Sequence, residues 1–159
     1  MGNYKDINSD FVDRTLRLIN QYTAMIQELK YEEQFNYTLI MNCLLGLIVM
    51  PKERIVTFIP KVPIDQYFKN KIGLEKTTID GSITDLKSLI VGLRHSIAHF
   101  DVEVISEDDN NRIDYIKFNG TGNQPETLAR FYAPEILPFL QHYACVLTEN
   151  YRAHGEKNS

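Results

Sequence analysis

Arg94 and His99 stand five positions apart in the stretch Leu93-Arg94-His95-Ser96-Ile97-Ala98-His99-Phe100. A guanidinium is a rigid cationic fork that grips a phosphate, and an imidazole gains or loses a proton near neutral pH. Together they make a minimal set for cutting RNA without a metal: one group to take the 2′-hydroxyl proton, one to hold the phosphate. With 4 histidines in the chain such a spacing arises readily by chance, so its structural context must decide. His95 and His99 also form an i,i+4 pair, with Asp101 and Glu103 just beyond. A metal site wants three or four convergent ligands. The other two histidines, His142 and His154, make no obvious pair with a carboxylate, so neither a metal nor a cofactor is expected.

The helix that must position the pair is the best patterned in the chain. Ile83, Leu86, Ile90, Leu93 and Ile97 recur at steps of three and four and form one core stripe. Gly81-Ser82 reads as its start, with Ser82 and Asp85 in a capping-box spacing. About 110° round the helix lies a narrower face of Ser88, Val91, Arg94, His95 and Ala98, suited to close approach of another helix. Either a fourth helix of the same chain or a partner subunit would cover it. Arg94 and His99 bracket this face about 140° apart, too far round one helix to work comfortably alone.

Three further helices are expected. The first starts at Ser9 as N-cap and buries Phe11, Leu18, Ile19, Tyr22, Met25, Ile26 and Leu29. The second runs from Tyr31 or Glu32 to Val49, is apolar nearly all round from Leu39, and stops at Pro51. The last covers about Pro134 to Tyr151, with Pro138 expected to kink or restart it. A short helix is expected from Pro63 to Lys71. Val102-Glu103-Val104 and Tyr115-Ile116-Lys117-Phe118 flank a turn-rich segment and read as a hairpin. The expected fold is all-α, an antiparallel four-helix bundle with one short β-hairpin after the third long helix. It fills a single domain over 1–159, with its core at about 9–152.

Of the 159 residues 43% are hydrophobic, enough to bury one core. The formal charge of −4 excludes a surface uniformly coated in positive charge, but not a local patch. Pro51 to Lys76 carries six basic residues against three acidic ones. Lys52, Arg54 and Lys61 are the candidates there for holding an RNA backbone, the alternative being a solvated loop. Cys43 and Cys145 lie in apolar helical contexts and read as two buried, reduced thiols. With a polar N-terminus and no apolar run long enough for a bilayer, a soluble cytoplasmic protein without membrane contact is expected.

At Arg94, His95 and His99 the chain resembles the HEPN superfamily (higher eukaryotes and prokaryotes nucleotide-binding domain). Its hallmark is an arginine, often followed by a polar residue, and a histidine four to six residues on. Asn42-Cys43-Leu44-Leu45-Gly46-Leu47-Ile48-Val49 followed by Pro51-Lys52-Glu53 is similar to a plasmid- and bacterium-borne group of HEPN family nucleases. The helix order resembles that group over about residues 10 to 150. The resemblance implies a homodimer whose Arg94 and His99 form a composite, metal-independent endoribonuclease site. His95 would orient the phosphate or carry the second proton. Asn42 would support Arg94, or else bond within the bundle. Asp101 would hold one His99 tautomer, or else be an ordinary carboxylate at the start of a strand. The implied substrate is tRNA or other single-stranded RNA, and the implied setting is a toxin or anti-phage effector with a possible cognate antitoxin. A non-catalytic module that binds a nucleotide or a protein is the alternative.

Overall fold

A computed structural model describes residue 4 and residues 7–30, 33–49, 56, 59–109, 113–120 and 122–155. Helix α1 spans Ile7–Met25, so Ser9 lies inside it rather than at its cap. Its buried line is Val12, Thr15, Ile19 and, just past its end, Ile26, at helical spacing. The expected stripe is therefore rotated: Leu18 is 50% and Met25 79% exposed. Helix α2, Asn36–Leu44, runs into a π-helical turn at Leu45–Val49 whose Gly46, Leu47 and Ile48 are buried. The expected stop at Pro51 and start at Tyr31 or Glu32 lie outside the described residues. Helix α3, Gln66–Ile72, is capped by the Asp65 side chain and ends at Gly73 in the left-handed conformation.

The chain then departs from the expected bundle. Strand β1, Thr78–Ile79, leads to helix α4, Leu86–Ala98. Strands β2, Val102–Ile105, β3, Tyr115–Asn119, and β4, Thr127–Tyr132, follow before helix α5, Ala133–Gly155. The strands form one antiparallel sheet in the order β1-β4-β3-β2. The molecule is thus mixed α and β, with helices gathered on one face of a four-stranded sheet, and the four-helix bundle is corrected. The hairpin expected from the sequence is β2–β3, the outer half of that sheet; its turn at Asn110-Asn111 lies outside the described residues.

A bulge explains why β4 was hidden. Phe118 pairs with Ala129 but the next residue, Asn119, pairs with Thr127, leaving Leu128 as an extra residue on β4. Leu128 and Ala129 are consequently both buried, and the alternation that would announce a strand is lost. The inner face carries Ile116, Phe118, Ala129 and Phe131. Against it pack α4, through Leu86, Leu89, Ile90, Leu93 and Ile97, and α5, through Ile136, Phe139, Leu140 and Tyr143. Helix α5 passes through Pro138 as one element, so no restart occurs there. Helices α1 and α2 close the core from the other side of α5.

Helix α4 seats closely on the sheet at Gly92. A Cβ built there would lie 2.6 and 2.7 Å from the two methyls of Leu128. The bulge aims Leu128 at the helix, and glycine makes room for it. Among the described residues no helix is long and apolar enough to cross a membrane.

Candidate functional site

Helix α4 is fixed at both ends by side chains that the chain itself supplies. At its start Asp85, rather than Ser82, is the N-cap: Oδ1 accepts from the Ser88 N–H at 3.0 Å, and Oδ2 from the Ser88 hydroxyl at 2.8 Å. Burial works to raise the Asp85 carboxyl, but the two Ser88 bonds, the Lys61 charge and the Lys87 N–H together hold it below the usual range. Ser82 instead donates to Asp80 in the preceding turn.

At its end His99 is the C-cap and Phe100 adopts φ +59°. The Phe100 N–H donates to the Ile97 carbonyl at 3.1 Å and the Asp101 N–H to the Ser96 carbonyl at 2.8 Å, a Schellman pair. Fully buried Ser96 adds a hydroxyl bond to the Asp101 carbonyl at 2.9 Å, and the Asn119 N–H donates to that same carbonyl. The turn from α4 into β2 is thereby locked. Glycine is the cheap residue at such a position; a side chain there costs roughly 1–2 kcal/mol.

Between these ends the described core buries only one side of α4. Leu86, Leu89, Ile90, Gly92, Leu93, Ser96 and Ile97 are buried, whereas His95, Ala98 and His99 are exposed. Ser88, Val91 and Arg94 are half-buried along the flanks. The π-helical turn of the same chain meets the helix at Arg94, whose Nη1 bonds the Ile48 carbonyl, while His95 and Ala98 on the second face are exposed. His95 and His99 project on one side, one turn apart.

Arg94 is on the rim. Its Nη1 donates to the Ile48 carbonyl at 3.2 Å, a carbonyl within the π-helical turn. Such turns depart from the regular helical ladder and recur at functional sites. The fully buried Tyr143 on α5 lies within reach of the Arg94 charge. Burial pushes its phenol far up; the Arg94 charge pulls it part of the way back, and Tyr151 pushes it up further. The Tyr143 hydroxyl has no hydrogen-bond partner among the described residues. A tyrosine where phenylalanine would fill a core position was the signal available in the sequence.

The remaining candidates disperse. Asn42 is exposed, and its Nδ2 donates to the Thr38 carbonyl one turn back at 3.0 Å, so it needs no buried partner. Asp101 is exposed and serves the turn through its backbone. Lys61 sits beside the start of α4, about 21 Å along the axis from His99. Lys52 and Arg54 lie outside the described residues. Cys43 is buried with its thiol pushed up to about 11 by burial, but Cys145 is exposed, correcting the pair of buried thiols. His142 packs edge-on against Phe68 with ring centroids 5.5 Å apart, away from the α4 cluster in sequence and partnered on α3. Among the described residues no three His, Cys, Asp or Glu side chains converge to hold a metal ion.

Chemically, α4 offers a half-buried guanidinium on a rigid rim and two exposed imidazoles on an adjoining open face. Comparison with curated proteins and with solved structures finds no match. A model of the HEPN pEK499 p136 family matches residues 1–154, and the chain belongs to the HEPN family of nuclease or nucleotide-binding modules.

Proposed function

We propose that this protein is a metal-independent endoribonuclease that works as a homodimer, with Arg94 and His99 of two facing copies forming each site. The observation that carries the reading is the open face of α4. Ala98, His95 and His99 are exposed on a helix whose opposite side is completely filled, with Arg94 held at the border. Within one helix Arg94 and His99 are about 140° and about 7.5 Å apart along the axis. Two copies related by a two-fold axis would bring each arginine toward the other copy's histidine in an isologous contact.

In this mechanism neutral His99 takes the proton from the 2′-hydroxyl, and O2′ attacks the adjacent phosphorus. The P–O5′ bond breaks, and the leaving oxygen takes a proton from a second imidazole, for which His95 is the candidate. Arg94 holds the non-bridging oxygens as charge grows on them. A positioned general base contributes roughly 10²–10⁴-fold. The products carry a 2′,3′-cyclic phosphate and a 5′-hydroxyl, and DNA, which lacks the nucleophile, is not cut. The substrate is tRNA or other single-stranded RNA, and the biological setting is a cytoplasmic toxin or anti-phage effector restrained by a cognate antitoxin.

Purified protein is incubated with total RNA in EDTA, comparing wild type with Arg94→Ala and His99→Ala. Cleavage by the wild type that both substitutions abolish is expected. Cleavage that survives both, or that the chelator alone stops, contradicts the mechanism. Light scattering at micromolar concentration should report a dimer. The net charge of −4 favours a second reading, a non-catalytic binding module. It predicts harmless expression and RNA profiles indifferent to both substitutions.

A further inference from the structure

Phe100 combines three properties that a residue of the fold alone would not need together. It stands in the left-handed region at φ +59°, where glycine costs least. Its side chain is 80% exposed, so burial does not offset that strain. And it directly follows His99, with consecutive Cα atoms about 3.8 Å apart. The Schellman turn accounts for the backbone there, but not for an exposed aromatic ring in the place of glycine.

We infer that the Phe100 ring is a stacking platform for the base of the nucleotide next to the scissile phosphate. The inference rests on the ribonuclease reading of α4 and adds to it the residue that seats the substrate. The residues on either side of Phe100 suit a nucleobase. His99 and Asp101, on either side of Phe100 in the chain, and His95 one turn before His99 are all exposed and ionisable. An exposed flat ring flanked by ionisable residues suits the π-face of a nucleobase, which any base presents. The Schellman bonds and the Ser96 hydroxyl hold the backbone under the ring, so the platform is fixed before substrate arrives.

The test uses the full chain and a fluorescein-labelled, single-stranded 2′-O-methyl oligoribonucleotide, which cannot be cut and leaves the site intact. Binding is read by fluorescence anisotropy for wild type, Phe100→Leu, Phe100→Gly and Phe100→Trp. Leucine and glycine should weaken binding roughly five- to a hundredfold, the loss of one base–aromatic stack, while tryptophan retains it. Thermal stability of Phe100→Gly should match or exceed that of the wild type, since glycine relieves the strain. Equal binding by all four proteins, or no binding by the wild type, overturns the platform. A shift from dimer to monomer in Phe100→Leu also overturns it and assigns the ring to a subunit contact. Wild type that binds with this aromatic dependence yet never cleaves natural RNA leaves the platform standing and refutes the nuclease reading instead.

Discussion

Glu135, in the first turn of α5, holds a carboxylate inside a ring of backbone donors. Oε1 accepts from the Glu75 N–H at 3.0 Å and the Lys76 N–H at 2.9 Å, and Oε2 from the Thr77 N–H at 2.9 Å. The side chain is 8% exposed and Thr77 is buried too. This clamp ties the connection before β1 to the start of α5, and so sets the frame on which α4 rests. Glu135→Gln keeps the shape but turns one acceptor oxygen into an amide donor that faces N–H groups. At least one charge-assisted bond is lost, at about 1.5–3 kcal/mol, and one buried N–H is left facing another donor, at about 1–3 kcal/mol. The two overlap, so a loss of about 3 kcal/mol is expected, a fall of roughly 6–12 °C in Tm for a domain of this size. Burial works to raise the Glu135 carboxyl, but the Thr77 hydroxyl and the N–H groups of Lys76, Thr77 and Glu75 outweigh it and hold it low. Its folded-state value lies below the unfolded one. The stabilisation is therefore complete above the usual carboxylate value of 4.5 and fades as pH falls through the folded one. Urea unfolding of both proteins from pH 7 downward measures this directly. A difference at pH 7 below about 1 kcal/mol, or one that widens on acidification, would refute the reasoning.

Gly92→Ala should gain up to about 1 kcal/mol of helix propensity yet lose about 1–3 kcal/mol to crowding, since Leu128 is fully buried and cannot swing away. Net destabilisation on urea unfolding is expected, and Leu128→Ala should reduce that specific loss in a double-mutant cycle. Under native conditions brief iodoacetamide treatment should modify Cys145 and spare Cys43, whose buried thiol is pushed up to about 11. Intact mass should show one adduct; two adducts at equal rates would contradict the burial of Cys43.

The helix that carries the pair was legible because its core stripe repeats without interruption, and Leu86, Ile90, Leu93 and Ile97 are buried as read. The open face about Ala98 was legible as a second surface for the same reason. The sheet was not. A two-residue β1 has no period to detect, and the Leu128 bulge erases the period of β4. Propensity also misplaced the cap of α4, because Ser82 and Asp85 are both good caps, and only the turn that occupies Ser82 with Asp80 decides between them. Asn42 lies in an apolar run, but α2 presents that position to solvent. The contact between Arg94 and the Ile48 carbonyl joins residues 46 positions apart, and nothing local announces it.

The composite site is tested most directly by mixing. Arg94→Ala and His99→Ala proteins, each inactive alone, are combined under conditions that exchange subunits, and RNA cleavage in EDTA is measured. In a heterodimer one of the two sites takes Arg94 from one copy and His99 from the other, and both are intact. With half of the dimers mixed, about a quarter of wild-type activity should return, and the products should end in 2′,3′-cyclic phosphate. A mixture that stays inactive while the wild type cleaves would place the whole site in one chain and contradict the account.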